Sequence, residues 1–208
     1  MSESYEETSQ LEMQAILDRQ RAAYLAEGVV SSQTRIDRLE RAVQVVKKHQ
    51  KTFVKAMNED FGHRSEHQSL FTDIASSIGP LRHAQQNLKR WQKKDKRKVT
   101  PGVLALLGAR AWIEYQPLGV VGVISPWNFP VNLTFTPLAG VLSAGNRCMI
   151  KPSEYTPATS AAMAVGFAEE FDEEEIAVIT GGPRTGADFS GLAFDHLLLT
   201  GAPSVAKH

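Results

Sequence analysis

The stretch Val120-Val121-Gly122-Val123-Ile124-Ser125-Pro126-Trp127-Asn128-Phe129-Pro130 runs from an apolar segment into a polar turn bounded by two prolines. A short β-branched run that stops on such a turn reads as a strand delivering a loop to the edge of a sheet. Upstream, Ala111-Trp112-Ile113-Glu114-Tyr115-Gln116 reads as another strand, with Pro117-Leu118-Gly119 as the tight connection between the two. Downstream the pattern alternates: helix over 131–144, strand over 147–150, Ala-rich helix over 157–170, strand over 176–180, short helix over 184–191, strand over 196–200. Strands separated by single helices call for parallel pairing through crossover connections. The expected fold class is α/β, an incomplete Rossmann-like doubly wound parallel sheet with an N-terminal helical layer and a β-hairpin arm.

The first hundred residues have a different period. Ile36, Leu39, Val43 and Val46 fall on one helical face; Leu70, Ile74, Ile78, Leu81, Leu88 and Trp91 fall on another, and residues 9–27 carry a weaker stripe. Thr34, with Asp37 three residues on, predicts the cap of the first stripe. Gly79-Pro80 predicts a kink or split in the second. Charge divides the chain at the same place. Residues 1–100 hold 18 basic and 13 acidic side chains and residues 101–208 hold 5 and 10, so a net charge of zero conceals halves of +5 and −5. The expected organisation is a helical layer over 1–98, a hairpin over 99–124 and βα units over 125–208.

Composition excludes several function classes. A single Cys in 208 residues rules out a disulfide scaffold, and no apolar run reaches the roughly 20 residues of a membrane span. The acidic start MSESYEETSQ lacks the basic region of an export signal, so a cytoplasmic protein without membrane attachment is expected. His63-Arg64-Ser65-Glu66-His67 spells a zinc-protease pattern, but Gly62 and Arg64-Ser65 suggest the start of a helix and no third ligand follows, so no metal site is assigned. The basic run over 89–98 reads as a solvated helix end favoured by the helix dipole, since Trp91 continues its apolar stripe, and not as a nucleic-acid contact. Cys148, among apolar neighbours in a strand, reads as core. The acids over 172–175 read as solvent-facing.

Four strand ends carry polar or glycine residues: Ser125-Pro126-Trp127-Asn128, Lys151-Pro152-Ser153-Glu154, Gly181-Gly182 and Gly201. Ligands of open parallel sheets gather at this edge, because loop backbones and helix N-termini converge there. Lys151 and Glu154 offer a cation and an acceptor suited to ribose hydroxyls. Gly201 lets a pyrophosphate approach backbone N–H groups. Gly181-Gly182 sits where a phosphate loop would but lacks the G-x-G-x-x-G spacing. Asn128 offers an amide donor to a developing oxyanion. A packing turn in which Asn128 only caps its own loop is the other reading of the same residues.

Taken in order, residues 115–130, Ala144-Gly145-Asn146, Lys151-Pro152-Ser153-Glu154 and Leu199-Thr200-Gly201 resemble the aldehyde dehydrogenase superfamily. Asp60-Phe61-Gly62-His63-Arg64-Ser65 and Leu88-Lys89-Arg90-Trp91 are similar to its coniferyl aldehyde dehydrogenase branch. The resemblance implies oxidation of an aldehyde, coniferyl-type or other, to the carboxylic acid, with NAD or NADP as acceptor and NAD favoured. It implies that Asn128 helps hold the oxyanion, that Ser125, Pro126 and Trp127 line the cofactor cleft, and that Lys151 and Glu154 bind the adenosine ribose. Gly201 would lie near the pyrophosphate and Gly182 near the adenine end. A homodimer is implied for the full-length enzyme. Ala202-Pro203 depart from the Ser that usually follows the family's Thr-Gly. The family's nucleophilic Cys and general-base Glu lie further along than His208, and Cys148 does not match the nucleophile. The 208 residues are thus expected to be an N-terminal part without the catalytic domain, inactive alone. The alternative is a non-catalytic nucleotide-binding or interaction module that has lost its catalytic half.

Overall fold

In the computed structural model, residues 7–203 and 205–207 are described; most of the acidic start, residues 1–6, and the chain end at His208 lie outside them. The first half forms helices α1 (Gln10–Glu27), α2 (Ser32–Lys48), α3 (Gln50–Phe61), α4 (Glu66–Ser69) and α5 (Ser76–Trp91), with a π-helical turn at Leu70–Ala75. Next come strand β1 (Asp95–Arg97), helix α6 (Gly102–Leu106) and strand β2 (Ala111–Ile113). The alternating half supplies β3 (Val120–Ile124), α7 (Asn132–Ala144), β4 (Arg147–Lys151), α8 (Pro157–Glu170), β5 (Ile176–Val178), α9 (Pro183–Ser190) and β6 (His196–Leu199).

Strands β3 to β6 make one parallel sheet in the order β5-β4-β3-β6. The side-chain period of two sends Val121, Val123, Cys148 and Ile150 into one core, with Phe135 and Leu138 of α7 and Phe167 of α8. It sends Val120 and Met149 into a second core, with Met13, Ile16 and Leu17 of α1 and Phe189 of α9. Burial on both faces is why these strands read as unbroken apolar runs. Helices α2, α3 and α5 pack on the outside of α7 and α8. The basic half therefore covers both faces of the sheet, with α2, α3 and α5 outside α7 and α8 on one and α1 beside α9 on the other.

Several expectations are corrected. Residues 111–116 do not pair with 120–125: the hairpin is β1 with β2, in register Asp95↔Ile113 to Arg97↔Ala111, and β3 sits between β4 and β6. A strand apolar on both faces gains more from the centre of the sheet than from an exposed arm. Gly119 marks the point where the chain enters the sheet. Its φ is +138°, a Cβ there would lie 2.3 Å from Asp195 Oδ2, and that oxygen accepts the Val120 N–H at 2.8 Å. The hairpin boundary therefore moves back from residue 124, and β3 joins the βα units. Helix α2 is capped by Ser31, whose hydroxyl accepts the Thr34 N–H at 3.1 Å, so Thr34 is inside the helix. Helix α5 runs through Pro80 unbroken, and the irregularity falls upstream as the π turn. Trp91 is half exposed against His83, and Lys96 and Arg97 lie in β1 and not at a helix end.

Glu175 is also not solvent-facing. Arg38 Nε donates to its carboxylate at 2.7 Å and Arg41 Nη1 at 2.6 Å, while Arg38 Nη2 and Arg147 Nη2 reach Glu27 at 2.8 and 3.0 Å. Desolvation pushes the Glu175 carboxyl up, but hydrogen bonds and charge from Arg41 and Arg38 outweigh it and hold it below the usual range. Glu40, on α2, is drawn from 4.5 to about 2, chiefly by hydrogen bonding from Gln85 and, after an opposing desolvation, by Arg82 and Gln44. Both folded values lie below the unfolded ones. The stability Glu40 supplies is present above pH 4.5 and is lost as pH falls towards about 2, and that of Glu175 is lost in the same direction as pH falls. The urea midpoint should drop over that window, and Glu40→Gln should flatten the drop; identical profiles for the two proteins would remove Glu40 from the account.

Candidate functional site at the carboxyl edge of the sheet

The four parallel strands end level. Ser125 N–H donates to Lys151 O at 3.1 Å, Ile179 N–H to Ile150 O at 2.7 Å, and Thr200 N–H to Ile124 O at 3.1 Å. The first strand of the sheet, β3, has its successor β4 on one side and β6 on the other, so the order reverses between β3 and β6. In such sheets the carboxyl ends at the switch point are the usual ligand position.

Helix N-termini at this edge are natural anion sites, but three of them are already filled. Asp73, fully buried in the π turn, accepts Val131 N–H and Asn132 N–H, both at 3.1 Å, at the start of α7. Asp60, at the end of α3, accepts Ala158 N–H at 2.9 Å and Thr159 N–H at 2.8 Å at the start of α8. Glu7 accepts Gly182 N–H at 3.2 Å at the start of α9. The turn after β6 is different. Gly201 is exposed, and among the described residues a Cβ on it would meet only Leu199 Cδ2, at 3.5 Å.

The remaining site residues take varied positions. Ser125 is buried, its hydroxyl accepting from Thr134 Oγ1 at 2.8 Å. Pro126 is half-buried; Trp127 and Asn128 are exposed, with the indole tilted against Phe61 at 6.3 Å. The side-chain amide of Asn128 makes no hydrogen bond among the described residues, while its carbonyl accepts from Arg64 Nη1 at 3.0 Å. Arg64, itself buried, also donates to Asp73 at 2.5 Å and lies over the rings of Phe61 and Phe129 at 4.8 and 5.4 Å. Beside the Asn128 loop is a cavity of about 520 Å³ lined by Phe71, Thr72, Ala75, Ser76, Phe129 and Asn132. Lys151 is 2% exposed and its ammonium donates to Pro152 O at 2.7 Å. Burial pushes that ammonium down, with Glu154 and then Glu7 pulling it back up. Glu154 is half-buried on the next turn.

Two sequence patterns take on other roles. Gly62, with φ of +78°, ends α3, so His63 and His67 do not share a helix, and the important residue of that motif is Arg64. Cys148 is fully buried, and burial pushes its thiol far up, as expected of a core thiol.

Over residues 3–208 the chain matches the sequence model of the aldehyde dehydrogenase family. It belongs to that family. The chain is 58% identical over 196 residues to a probable coniferyl aldehyde dehydrogenase of Caulobacter vibrioides, covering 94% of this chain and 40% of that protein. It is 45% identical over 192 residues to a coniferyl aldehyde dehydrogenase of a Pseudomonas species, covering 92% and 39%. This aldehyde dehydrogenase chain therefore spans about two-fifths of the curated relatives it matches. A substrate-bound Staphylococcus aureus AldH superposes with a TM-score of 0.86 at 27% identity, over 93% of this chain and 41% of that one. An aldehyde dehydrogenase of Bacillus cereus, solved as an NAD+ complex, gives 0.81 at 19% identity over 97% and 40%, a likeness of fold.

Residue patterns did not reveal Arg64, Asp60, Asp73 or Glu7. Each acts on a backbone group far away in sequence. The one local signal is an acid next to, or inside, an apolar helical stripe, which is also what any solvated helix shows.

Proposed function

We propose that these residues form the dinucleotide-binding portion of an NAD(P)-dependent enzyme that oxidises an aldehyde, of the coniferyl type, to the carboxylic acid. The observation that carries this reading is the division of labour at the sheet edge. Three helix N-termini are closed by the protein's own carboxylates, and the Gly201 turn at the switch point is left for the pyrophosphate. Lys151 and Glu154 at the end of β4 suit the ribose, with Gly182 towards the adenine end and Ser125, Pro126 and Trp127 as the wall of the cleft. When bound, the dinucleotide supplies the hydride acceptor.

Asn128 presents an amide N–H that has no partner among the described residues to an oxygen that gains charge during reaction, and Arg64 donates to the main-chain carbonyl behind it. The cavity bordered by Phe71 and by Phe129, the residue after Asn128, is suited to an aromatic ring. The nucleophile is not Cys148, a core thiol. In a full-length enzyme the exposed arm, with Trp112 and Ile113 on β2 and Leu106 on α6, is our candidate for the contact of a homodimer. The single thiol, fully buried, suits the cytoplasm.

Calorimetric titration of the 208-residue chain tests the reading. NAD+ should bind, no NADH should form from coniferaldehyde, and Lys151→Ala should weaken binding by about 10- to 100-fold. Equal affinity in two equally folded proteins would remove Lys151 from the site. Absence of binding in the unaltered chain would sink the dinucleotide assignment.

A further inference from the structure

Of the three carboxylates that close helix N-termini, Asp60 and Asp73 belong to the helical cover, whereas Glu7 is an exposed residue of the segment that precedes α1. That segment is held at the nucleotide edge. Thr8 N–H donates to Thr180 O at 3.1 Å, beside the end of β5, and Glu7 Oε1 accepts the Gly182 N–H. The approach is close enough that a Cβ on Gly182 would lie 3.0 Å from that oxygen. Strand β5 is the neighbour of β4, whose end carries Lys151 and Glu154. Glu154 and, more weakly, Glu7 both act through charge on Lys151, the buried lysine among the described residues of this edge. Arg184, two residues beyond Gly182, carries a side chain 90% exposed and aimed along α9 towards Asp188, 4.0 Å away.

We propose that Glu7 is a specificity residue: with Glu154 it makes the ribose edge anionic, and so favours a dinucleotide with a free 2′-hydroxyl over one carrying a 2′-phosphate. This rests on the dinucleotide reading given above. A 2′-phosphate brings close to two further negative charges into that edge. Lys151 is committed to Pro152 O and flanked by Glu154, so the cation present is already balanced. Glu7 adds a negative charge that a ribose hydroxyl tolerates and a phosphate does not. Its contact with Gly182 N–H anchors the charge in place, which distinguishes it from an acid on a free tail.

The experiment is a parallel titration of the chain and its Glu7→Gln variant with NAD+ and NADP+, read by calorimetry at low and at high salt. Glutamine retains an oxygen for the Gly182 N–H and loses only the charge. NADP+ affinity should rise about threefold to tenfold, with NAD+ affinity changing less than about twofold. The gain should shrink in 1 M salt, because the carboxylate is exposed and screened. Glu7→Lys should move the ratio further in the same direction. An unchanged NADP+ to NAD+ ratio, or an equal loss for both dinucleotides, would reduce Glu7 to a helix cap and overturn the proposal. Binding of neither dinucleotide by the unaltered chain would instead overturn the reading on which it rests.

Discussion

Replacing Asn128 with Ala, in a full-length aldehyde dehydrogenase that carries these residues, should lower kcat by about 100- to 1,000-fold and leave KM and NAD+ affinity little changed. The expectation comes from what surrounds the amide. Asn128 is exposed at the carboxyl edge, its side-chain amide makes no hydrogen bond among the described residues, and an aromatic-lined cavity begins at the next residue. In the proposed function a donor in that position acts on charge that develops in the transition state, so its loss is expected to fall on kcat. The alternative, a packing turn that Asn128 merely caps, predicts a variant of lower stability and near-normal turnover. Steady-state kinetics with an aromatic aldehyde, together with a thermal melt, separates the two. A kcat within a few-fold of the parent would remove Asn128 from the chemistry.

The largest stability effect is expected at Asp73. Asp73→Ala should cost about 3–5 kcal/mol and lower the melting temperature by roughly 6–20 °C. Asp73 and Arg64 are both buried, and the carboxylate serves the guanidinium and two backbone N–H groups of α7 at once. Without it, Arg64 is left charged under Phe61 and Phe129, and the start of α7 loses its cap. Asp73→Asn, which can still accept from the backbone, should fall between parent and Ala. Arg64→Met combined with Asp73→Ala should recover part of the loss, because an orphaned buried charge costs more than an absent pair. Urea denaturation of the four proteins measures this; a loss below about 1 kcal/mol for Asp73→Ala would show that the pair is peripheral. Arg64 of this pair also donates to the Asn128 carbonyl, so stability and site geometry should decline together.

From β3 onward the elements lie within a few residues of where the residue pattern places them. Helix α8 coincides with 157–170, and β4 extends the expected strand by one residue, to Lys151. A strand covered on both faces and a helix covered on one leave periods of apolar residues that do not depend on which partner covers them. The helical half was legible for the same reason in α2 and α5. Its starting points were less so, because Ser31 and Thr34 are both capping residues, and only the backbone at Ser31, extended with ψ of 157°, distinguishes them.

The strand partner of β3 was not legible. Residues 111–113 and 120–124 are near in sequence and similar in composition, and pairing between them was the local solution. The sheet decided otherwise, since burying β3 between β4 and β6 removes both of its apolar faces from water. The site divides along the same line. The amino-acid sequence by itself determined which residue types stand at the strand ends: the Asn128 turn, the Lys151 and Glu154 pair, and the glycines at 181–182 and 201. Only the tertiary structure decided that Asp73, Asp60 and Glu7 close three helix N-termini and that Arg64 backs the Asn128 loop. Hydrogen bonds to backbone groups some 60 to 175 positions away carry no local pattern, because a carboxylate that caps a distant helix and one that faces water are the same residue in sequence.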